Sequence, residues 1–429
     1  MNQDTRTQHK LSPPELLMPA GDLERLKFAF MYGADAVYIG APFFSLRARE
    51  NDFNDDNIRL GIEWAHSQGK KVYLTVNVFA RNLKIKPFEE AIERWVQWKP
   101  DALIMSDPGL MMIVRERGYD IPIHLSVQAN CMNYRSVLFW KQFGVSRIIL
   151  SRELRLTEIQ EIRQRVPEIE LEAFVHGSIC IAYSGRCFLS HYMSYRDANQ
   201  GVCDNSCRYG YHVYHTPKSI DSGEYYLEDL RNRGEFYRID EDEHGTYIMN
   251  AKDLCLLPHL KDIWEAGVVS FKVEGRTKSV YYVSQVARIY RKAIDDMVAG
   301  RPFDPQGMVE LEKVANRGYH PGFMMGEPTF HAQNYSHSNA RFQSQKFGGI
   351  VKKKEDQNLV VLEARNQLKV GSTVEVVTPN EQWLDQVVEI VRLKDQKLVD
   401  VAHGGAGEYL VTLKNRALVE NALVSVVQT

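Results

Sequence analysis

The chain has 429 residues, of which 44% are hydrophobic and 25% charged, with a formal net charge of −2 from 53 Lys plus Arg against 55 Asp plus Glu. That balance excludes a largely disordered chain and a uniformly basic nucleic-acid coat, though not a local basic patch. No apolar run approaches ~18 residues, and residues 1–10 lack the apolar stretch of a secretory signal, so the expected compartment is the cytoplasm.

In chain order, short β-rich runs alternate with amphipathic stretches. The runs are Glu15–Ala20, Ala36–Gly40, Lys71–Asn77, Asp101–Asp107, Ile123–Ala129, Ser146–Ser151, Glu170–Gly177 and Val268–Gly275. Helical patterns lie between them at Leu23–Tyr32, Asn57–Gln68, Pro87–Trp98 and Thr157–Arg165. Nearly all-apolar strands, each followed by a helix, predict a parallel sheet buried on both faces. Eight of them fit a (β/α)₈ TIM-like barrel; the alternative, an open doubly wound sheet, lacks a supporting G-x-G-x-x-G. After strand seven the rhythm breaks for some 60 residues, with a hairpin expected from Phe236–Ile239 and Thr246–Met249 and the next helix at Leu254–Glu265. A long insertion on that loop would wall the face where barrels keep their active sites. A last barrel helix is expected at Tyr281–Val298, and from Lys346 seven short alternating strands predict a small β-barrel or sandwich. The expected domains are 1–340, carrying the Cys-rich insertion at about 178–255, and 341–429.

The six cysteines are Cys131, Cys180, Cys187, Cys203, Cys207 and Cys255. All but Cys131 fall on the strand-seven loop, with Cys255 expected to open the helix that follows it. In a reducing compartment such clustering points to metal or redox chemistry rather than disulfides. Three readings compete on the residues alone: free buried thiols, a zinc site, for which only Cys203 and Cys207 have knuckle spacing, and an iron–sulfur cluster held by four thiolates at looser spacing.

The segment Glu172–Ser190, EAFVHGSICIAYSGRCFLS, contains E-x-F-x₂-G-S-I-C-x₄-G-x-C-x-L-S. With ELLMPAG at Glu15–Gly21, YGADAVYIG at Tyr32–Gly40, FSLRARENDF at Phe44–Phe53, NQGVCDNSCR at Asn199–Arg208, MNAKDLCL at Met249–Leu256 and KVEGRTKS at Lys272–Ser279, it resembles the collagenase-like peptidase family (peptidase family U thirty-two) over most of the chain. The likeness is strongest to the tRNA-hydroxylating branch. It implies an oxygen-independent RNA hydroxylase with a 4Fe–4S cluster, forming 5-hydroxyuridine at the tRNA wobble position with prephenate as an implicated metabolite. Other branches imply a cytidine of ribosomal RNA or a ubiquinone precursor as substrate. The implied ligands are Cys180, Cys187, Cys203 and Cys255, with Cys207 an alternative to Cys203.

Around such a cluster the strand ends supply Asn77, Gln128, His176, Lys272, Glu274 and Arg276. His176 and Glu274 are the candidate catalytic groups, although a strand-end His is commonly a satisfied structural residue. A prephenate-like dicarboxylate calls for Arg forks, for which Arg47, Arg49, Arg186 and Arg276 are candidates; ion pairs tying loops are the plainer reading of Arg49-Glu50 and of Glu274 with Arg276. For tRNA, in particular its anticodon region, the last barrel helix offers Lys278, Arg288, Arg291, Lys292 and Arg301 with Tyr281, Tyr282 and Tyr290, and Lys352–Lys354 extends the track. A solvated face and core tyrosines are the plain alternative. A protein helper or electron donor is a further expected partner. Peptidolysis is disfavoured because H-E-x-x-H and G-x-S-x-G are both absent.

Overall fold

The computed structural model describes residues 12–46, 52–180, 182–187, 189–208, 211–215, 225–229, 236–239, 251–326, 343–415 and 419–427. Strand β1 (Glu15–Pro19) leads into helix α1 (Leu23–Met31), whose start is set by the Asp22 carboxylate accepting the Arg25 N–H at 2.7 Å. The unit repeats through β2 (Ala36–Gly40), α2 (Asp55–Ser67), β3 (Lys71–Val76), α3 (Ile85–Gln97), β4 (Ala102–Met105) and α4 (Pro108–Glu116). It continues through β5 (Ile123–Leu125), α5 (Tyr134–Gln142), β6 (Arg147–Ile149), α6 (Leu156–Arg165) and β7 (Glu170–Gly177). Asn54, Asp107 and Asn133 cap α2, α4 and α5 in the same way.

Beyond β7 come α7 (Leu189–Ser194), an antiparallel sheet of β8 (Tyr211–His215), β9 (Tyr225–Asp229) and β10 (Phe236–Ile239), and then β11 (Asp253–Cys255). Helix α8 (Leu260–Glu265), β12 (Val268–Val273), α9 (Val280–Val298), α10 (Gln306–Leu311) and β13 (Tyr319–His320) complete this part. Strand β12 pairs in parallel with both β1 and β7, and that double pairing closes eight strands into a barrel rather than an open sheet.

Two local expectations change. Phe236–Ile239 pairs with Tyr225–Asp229, while Thr246–Met249 lies outside the described residues. Leu254 and Cys255 do not open a helix; they pair antiparallel with Gly177 and His176, and the α-helix begins only at Leu260. Strand β6 covers only Glu170–Glu172, so the outer part of β7 keeps a free edge that Leu254–Cys255 satisfies. Pro258 then excludes a regular helix through that stretch.

The barrel interior departs from aliphatic layers. Arg147 Nη1 reaches Glu15 at 2.7 Å and Glu172 at 3.2 Å, and its Nε reaches Glu170 at 2.8 Å. Lys272 Nζ meets Glu172 at 2.7 Å, and Tyr73 and Ser270 donate to Glu15. Each charge is thus paired and hydrogen-bonded, which a buried ion requires.

The C-terminal part contains β14 (Gln345–Lys354), β15 (Leu359–Ala364), β16 (Leu368–Lys369), β17 (Thr373–Val377) and β18 (Gln382–Arg392). It ends with β19 (Lys397–Leu398), β20 (Val401–Ala402), β21 (Glu408–Leu413) and β22 (Leu423–Val427). The order β17-β22-β14-β15-β21-β18 returns to β17, a closed antiparallel barrel with its own core of Val360, Leu362, Val374, Ile390 and Val411. It is bolted to the first barrel: the Tyr32 hydroxyl lies 3.0 Å from the Val377 carbonyl and 2.9 Å from that of Asn421, and Arg365 forks onto Glu24. Among the described residues no helix is long and apolar enough to cross a membrane.

Candidate active site

The C-terminal ends of β5, β6 and β7 carry the groups that build a cavity of about 380 Å³ at the barrel mouth. Its wall includes Cys180, Cys187, Cys203 and Cys207 together with Gln128, Arg152, Glu153 and Arg196. The two motif glycines let the first thiol pair reach it. Gly177 has φ +109°, and a Cβ there would stand 2.5 Å from the Glu274 carbonyl oxygen. Gly185 has φ +72° and passes directly over the Gln128 carbonyl, where no Cβ fits.

The loop is tied down by hydrogen bonds. Glu153 accepts the Ser184 N–H at 2.7 Å and its hydroxyl at 3.2 Å. Ser190, the last residue of the motif, accepts the Asp204 N–H at 3.0 Å and donates to the Arg196 carbonyl at 2.7 Å. Burial would raise the Asp204 carboxyl, but donation from Ser194 and Ser206 outweighs it and holds the group below its ordinary range. This anchors the Cys203–Cys207 turn against α7. Asn205, at φ +64°, points its N–H at Cys203 Sγ, 3.4 Å away.

Burial pushes the Cys187 thiol up, and the neighbouring Cys180 and Cys203 push it further. Among the described residues no three His, Cys, Asp or Glu side chains are arranged around a single metal ion. The donors that the cavity wall offers are four thiols, Cys180, Cys187, Cys203 and Cys207.

Cys255 lies elsewhere. It is buried with its sulfur 3.7 Å from the Tyr290 hydroxyl and 3.8 Å from Met308 Sδ, and burial raises its thiol to about 11. Cys131 is buried, its thiol raised to about 12 by the same cause, and it does not line the cavity.

His176 is buried between Tyr282, Tyr290 and Tyr319, away from the lining of the thiol cavity. The Tyr290 hydroxyl lies 2.9 Å from the Val175 carbonyl, to which it donates, and 3.3 Å from His176 Nδ1; with its one proton spent, the imidazole must be the donor. Burial lowers this histidine to about 4, which keeps it neutral at pH 7. Glu274 accepts the Ser178 N–H at 3.3 Å. Asn77 is consumed in positioning: its Oδ1 accepts the Leu46 N–H at 3.0 Å and its Nδ2 donates to Ser126 at 3.2 Å. Arg276 is buried and donates to the Leu46 carbonyl, Arg186 is exposed, and Arg47 and Arg49 lie outside the described residues. Of the six proposed substrate contacts, the structure brings Gln128 alone into the cavity wall among the described residues. Arg152 and Glu153 went unnoticed in the sequence, although their place directly after strand six marks them as mouth residues.

The basic, aromatic face expected on α9 is not there. Tyr281, Tyr282 and Tyr290 are core residues. Arg288 pairs with Glu310, Arg291 with Asp35 and Asp295, Lys292 with Asp296 and Asp304, and Arg301 with Asp296. A different surface faces the mouth: a polar cleft of about 460 Å³ between the two barrels, lined by Lys278, Arg317, Gln343, Lys346 and Asn366. Asn205 borders both this cleft and the thiol cavity.

With this geometry in place, residues 21–334 match Peptidase family U32 and residues 343–424 match the Peptidase family U32 C-terminal domain. The chain belongs to peptidase family U32. Within that family it is 46% identical over 391 residues to tRNA hydroxylation protein P of Escherichia coli, covering 85% of this chain and 86% of the relative. It is 44% identical to tRNA hydroxylation protein P of Haemophilus influenzae, covering 91% of each. The E. coli 23S rRNA 5-hydroxycytidine C2501 synthase is 33% identical over 69% of this chain and 41% of its own length.

Proposed function

We propose that this U32 protein is an RNA hydroxylase acting on tRNA, installing the 5-hydroxyl of the wobble uridine in the anticodon without molecular oxygen. The observation that carries the reading is the gathering of four thiols around one cavity at the barrel mouth, in a chain whose close relatives are named for tRNA hydroxylation. Cys180, Cys187 and Cys203 would hold a 4Fe–4S cluster. For the fourth place the cavity offers Cys207, whereas the family resemblance implies Cys255. A bound cluster would supply one-electron chemistry at the mouth.

The chain's own residues would do the rest. The interbarrel cleft would admit a splayed-out nucleotide, with Lys346 and Lys278 beside its phosphates. Gln128 would offer its amide to the small metabolite, for which prephenate is the proposed identity. A protein electron donor would complete the cycle.

Two observations weigh against other substrates. A ubiquinone precursor calls for an apolar tunnel, but Gln128, Arg152, Glu153, Arg196, Asn199 and Asp204 line this cavity. A peptidase would need an activated nucleophile, but His176 is sequestered and the Ser178 hydroxyl is taken up by Arg317 at 3.0 Å.

The test is mass spectrometry of nucleosides from tRNA of a deletion strain grown without oxygen. We expect 5-hydroxyuridine and its derivatives to fall, to return with the wild-type chain, and not to return with Cys180→Ala. Unchanged wobble hydroxylation in the deletion strain would sink the tRNA assignment.

A further inference from the structure

We propose that Phe43 and Tyr195 form a ledge beside the barrel mouth on which unpaired bases of an RNA loop stack. The ledge rests on the reading of the substrate as RNA, and adds to it the surface that tells a loop from a duplex.

Backbone strain falls on two residues ill suited to it. Among the described residues, seven other than glycine have positive φ, and five of them are Lys99, Asn130, Asn205, Gln396 and Asn421. The two aromatic ones are Phe43, at φ +62°, and Tyr195, at φ +55°, a region that a bulky side chain seldom occupies. Phe43 follows Pro42 in a turn that Phe44 closes by donating its N–H to the Ala41 carbonyl at 3.3 Å. Positive φ at that place in a turn favours glycine. Tyr195 ends α7: its N–H donates to the His191 carbonyl at 2.9 Å, and that of Arg196 to the Ser190 carbonyl at 3.3 Å. Glycine is again the usual residue in such a closing turn. Burial does not offset the strain, since Phe43 is 80% and Tyr195 88% exposed. A costly backbone that presents an unburied ring marks a position kept for function.

The fold sets both rings beside the mouth. Lys84 Nζ donates to the Phe43 carbonyl at 2.9 Å, tying the loop after β2 to the loop after β3. Gln200 donates to the Phe79 carbonyl, and Arg81 meets Asp197 at 3.5 Å, tying the loop after β3 to the stretch behind Tyr195. Leu46, in the same loop as Phe43, and Arg196, next to Tyr195, line the thiol cavity. The rings therefore stand next to that cavity without lining it. Arg81 stays largely exposed despite its contact with Asp197, and Arg186 is exposed on the thiol loop, so cations are at hand for backbone phosphates.

This chemistry fits unpaired RNA. A nucleotide drawn out for reaction leaves its neighbours unstacked, and aromatic faces take up such bases whatever their identity. A duplex keeps its base faces covered and offers the ledge nothing. A protein partner is the rival guest, but the flanking cations favour a polyanion.

The full-length protein, with its iron restored anaerobically, is titrated by fluorescence anisotropy against an anticodon stem-loop, the same stem as a blunt duplex, and the stem-loop with abasic loop positions. The wild type should bind the intact stem-loop about tenfold more tightly than either of the others. Phe43→Gly and Tyr195→Gly should each weaken stem-loop binding about tenfold and leave the binding of the abasic RNA unchanged. Tyr195→Phe, which keeps the ring, should bind as the wild type does. Iron content should be the same in all three variants. Glycine suits the left-handed backbone, so both glycine variants should melt no lower than the wild type, whereas a packing role for either ring would lower the melting temperature. Glycine variants with wild-type affinity for the stem-loop would overturn the ledge and point to a protein guest. Equal losses on intact and abasic RNA, or a wild type that does not separate stem-loop from duplex, would overturn it as well. Failure of the hydroxylase reading shows elsewhere, as unchanged nucleosides in the deletion strain.

Discussion

Replacing Lys272 by Met probes the ion network on which the mouth stands. The ammonium lies 2.7 Å from Glu172, with the two side chains 4% and 0% exposed, and also 4.2 Å from the centroid of the Tyr38 ring. Methionine keeps the packing over Tyr38 and removes the charge, leaving Glu172 with Arg147 at 3.2 Å. Breaking one partner out of a buried pair costs about 3–5 kcal/mol. A ceiling exists, because the carboxylate, left with Arg147 as its one cationic partner among those named, can take up a proton instead. Neutralising an ordinary glutamic acid costs about 3.7 kcal/mol at pH 7 but only about 1 kcal/mol at pH 5. The expected loss is therefore about 3 kcal/mol at pH 7, shrinking to about 1 kcal/mol at pH 5. The sign follows from linkage: a carboxyl raised by folding contributes stability at low pH that is lost as pH rises through its range. Urea unfolding followed by tryptophan fluorescence reads this directly, since five of the six tryptophans, Trp64, Trp95, Trp98, Trp140 and Trp264, precede the C-terminal barrel. With a slope of about 3 kcal/mol per molar urea, the midpoint should drop by about 1 M at pH 7. A loss under about 1 kcal/mol at pH 7, or the same loss at both pH values, would refute the reasoning.

Three further outcomes are expected. Cys180→Ala, Cys187→Ala and Cys203→Ala should each abolish the iron bound by anaerobically purified protein, while Cys131→Ser should keep it; the same assay on Cys207→Ser and Cys255→Ser assigns the fourth ligand to whichever variant loses iron. His176, held neutral down to about 4 by burial, should weaken the fold as pH falls from about 6.5 towards 4, because only the unfolded chain takes the proton in that window. The full effect is about 3 kcal/mol, and it should be missing from the pH dependence of His176→Gln. Gly185→Ala should displace the loop from Gln128 and lower iron content without lowering the melting temperature of the C-terminal barrel, since that residue touches only the mouth; wild-type iron content in this variant would contradict the close approach.

Much of the architecture was legible in the order of residues. Ala36–Gly40 is a strand at those same bounds, because a strand buried on both faces is apolar along its length; Glu170–Gly177 keeps its bounds too, with Glu172 paired inside the barrel. The second barrel announced itself through alternation and turns, as at Thr373–Val377. The motif also marked the thiol loop, since Gly177 and Gly185 stand where only glycine fits and Ser190 holds the Asp204 turn.

What the sequence left open was every choice of partner. Leu254–Cys255 reads as the start of a helix, yet a free edge of β7, laid down some eighty positions earlier, captures it as a strand. That capture carries Cys255 to Tyr290 and leaves the cavity wall to Cys207. The cations of α9 read as a phosphate track until Asp35, Asp304 and Glu310 come round to neutralise them. A residue's intrinsic preference is local and can be read along the chain, whereas pairing energy depends on which groups arrive at the same few ångströms. Only closure of the barrel decides that.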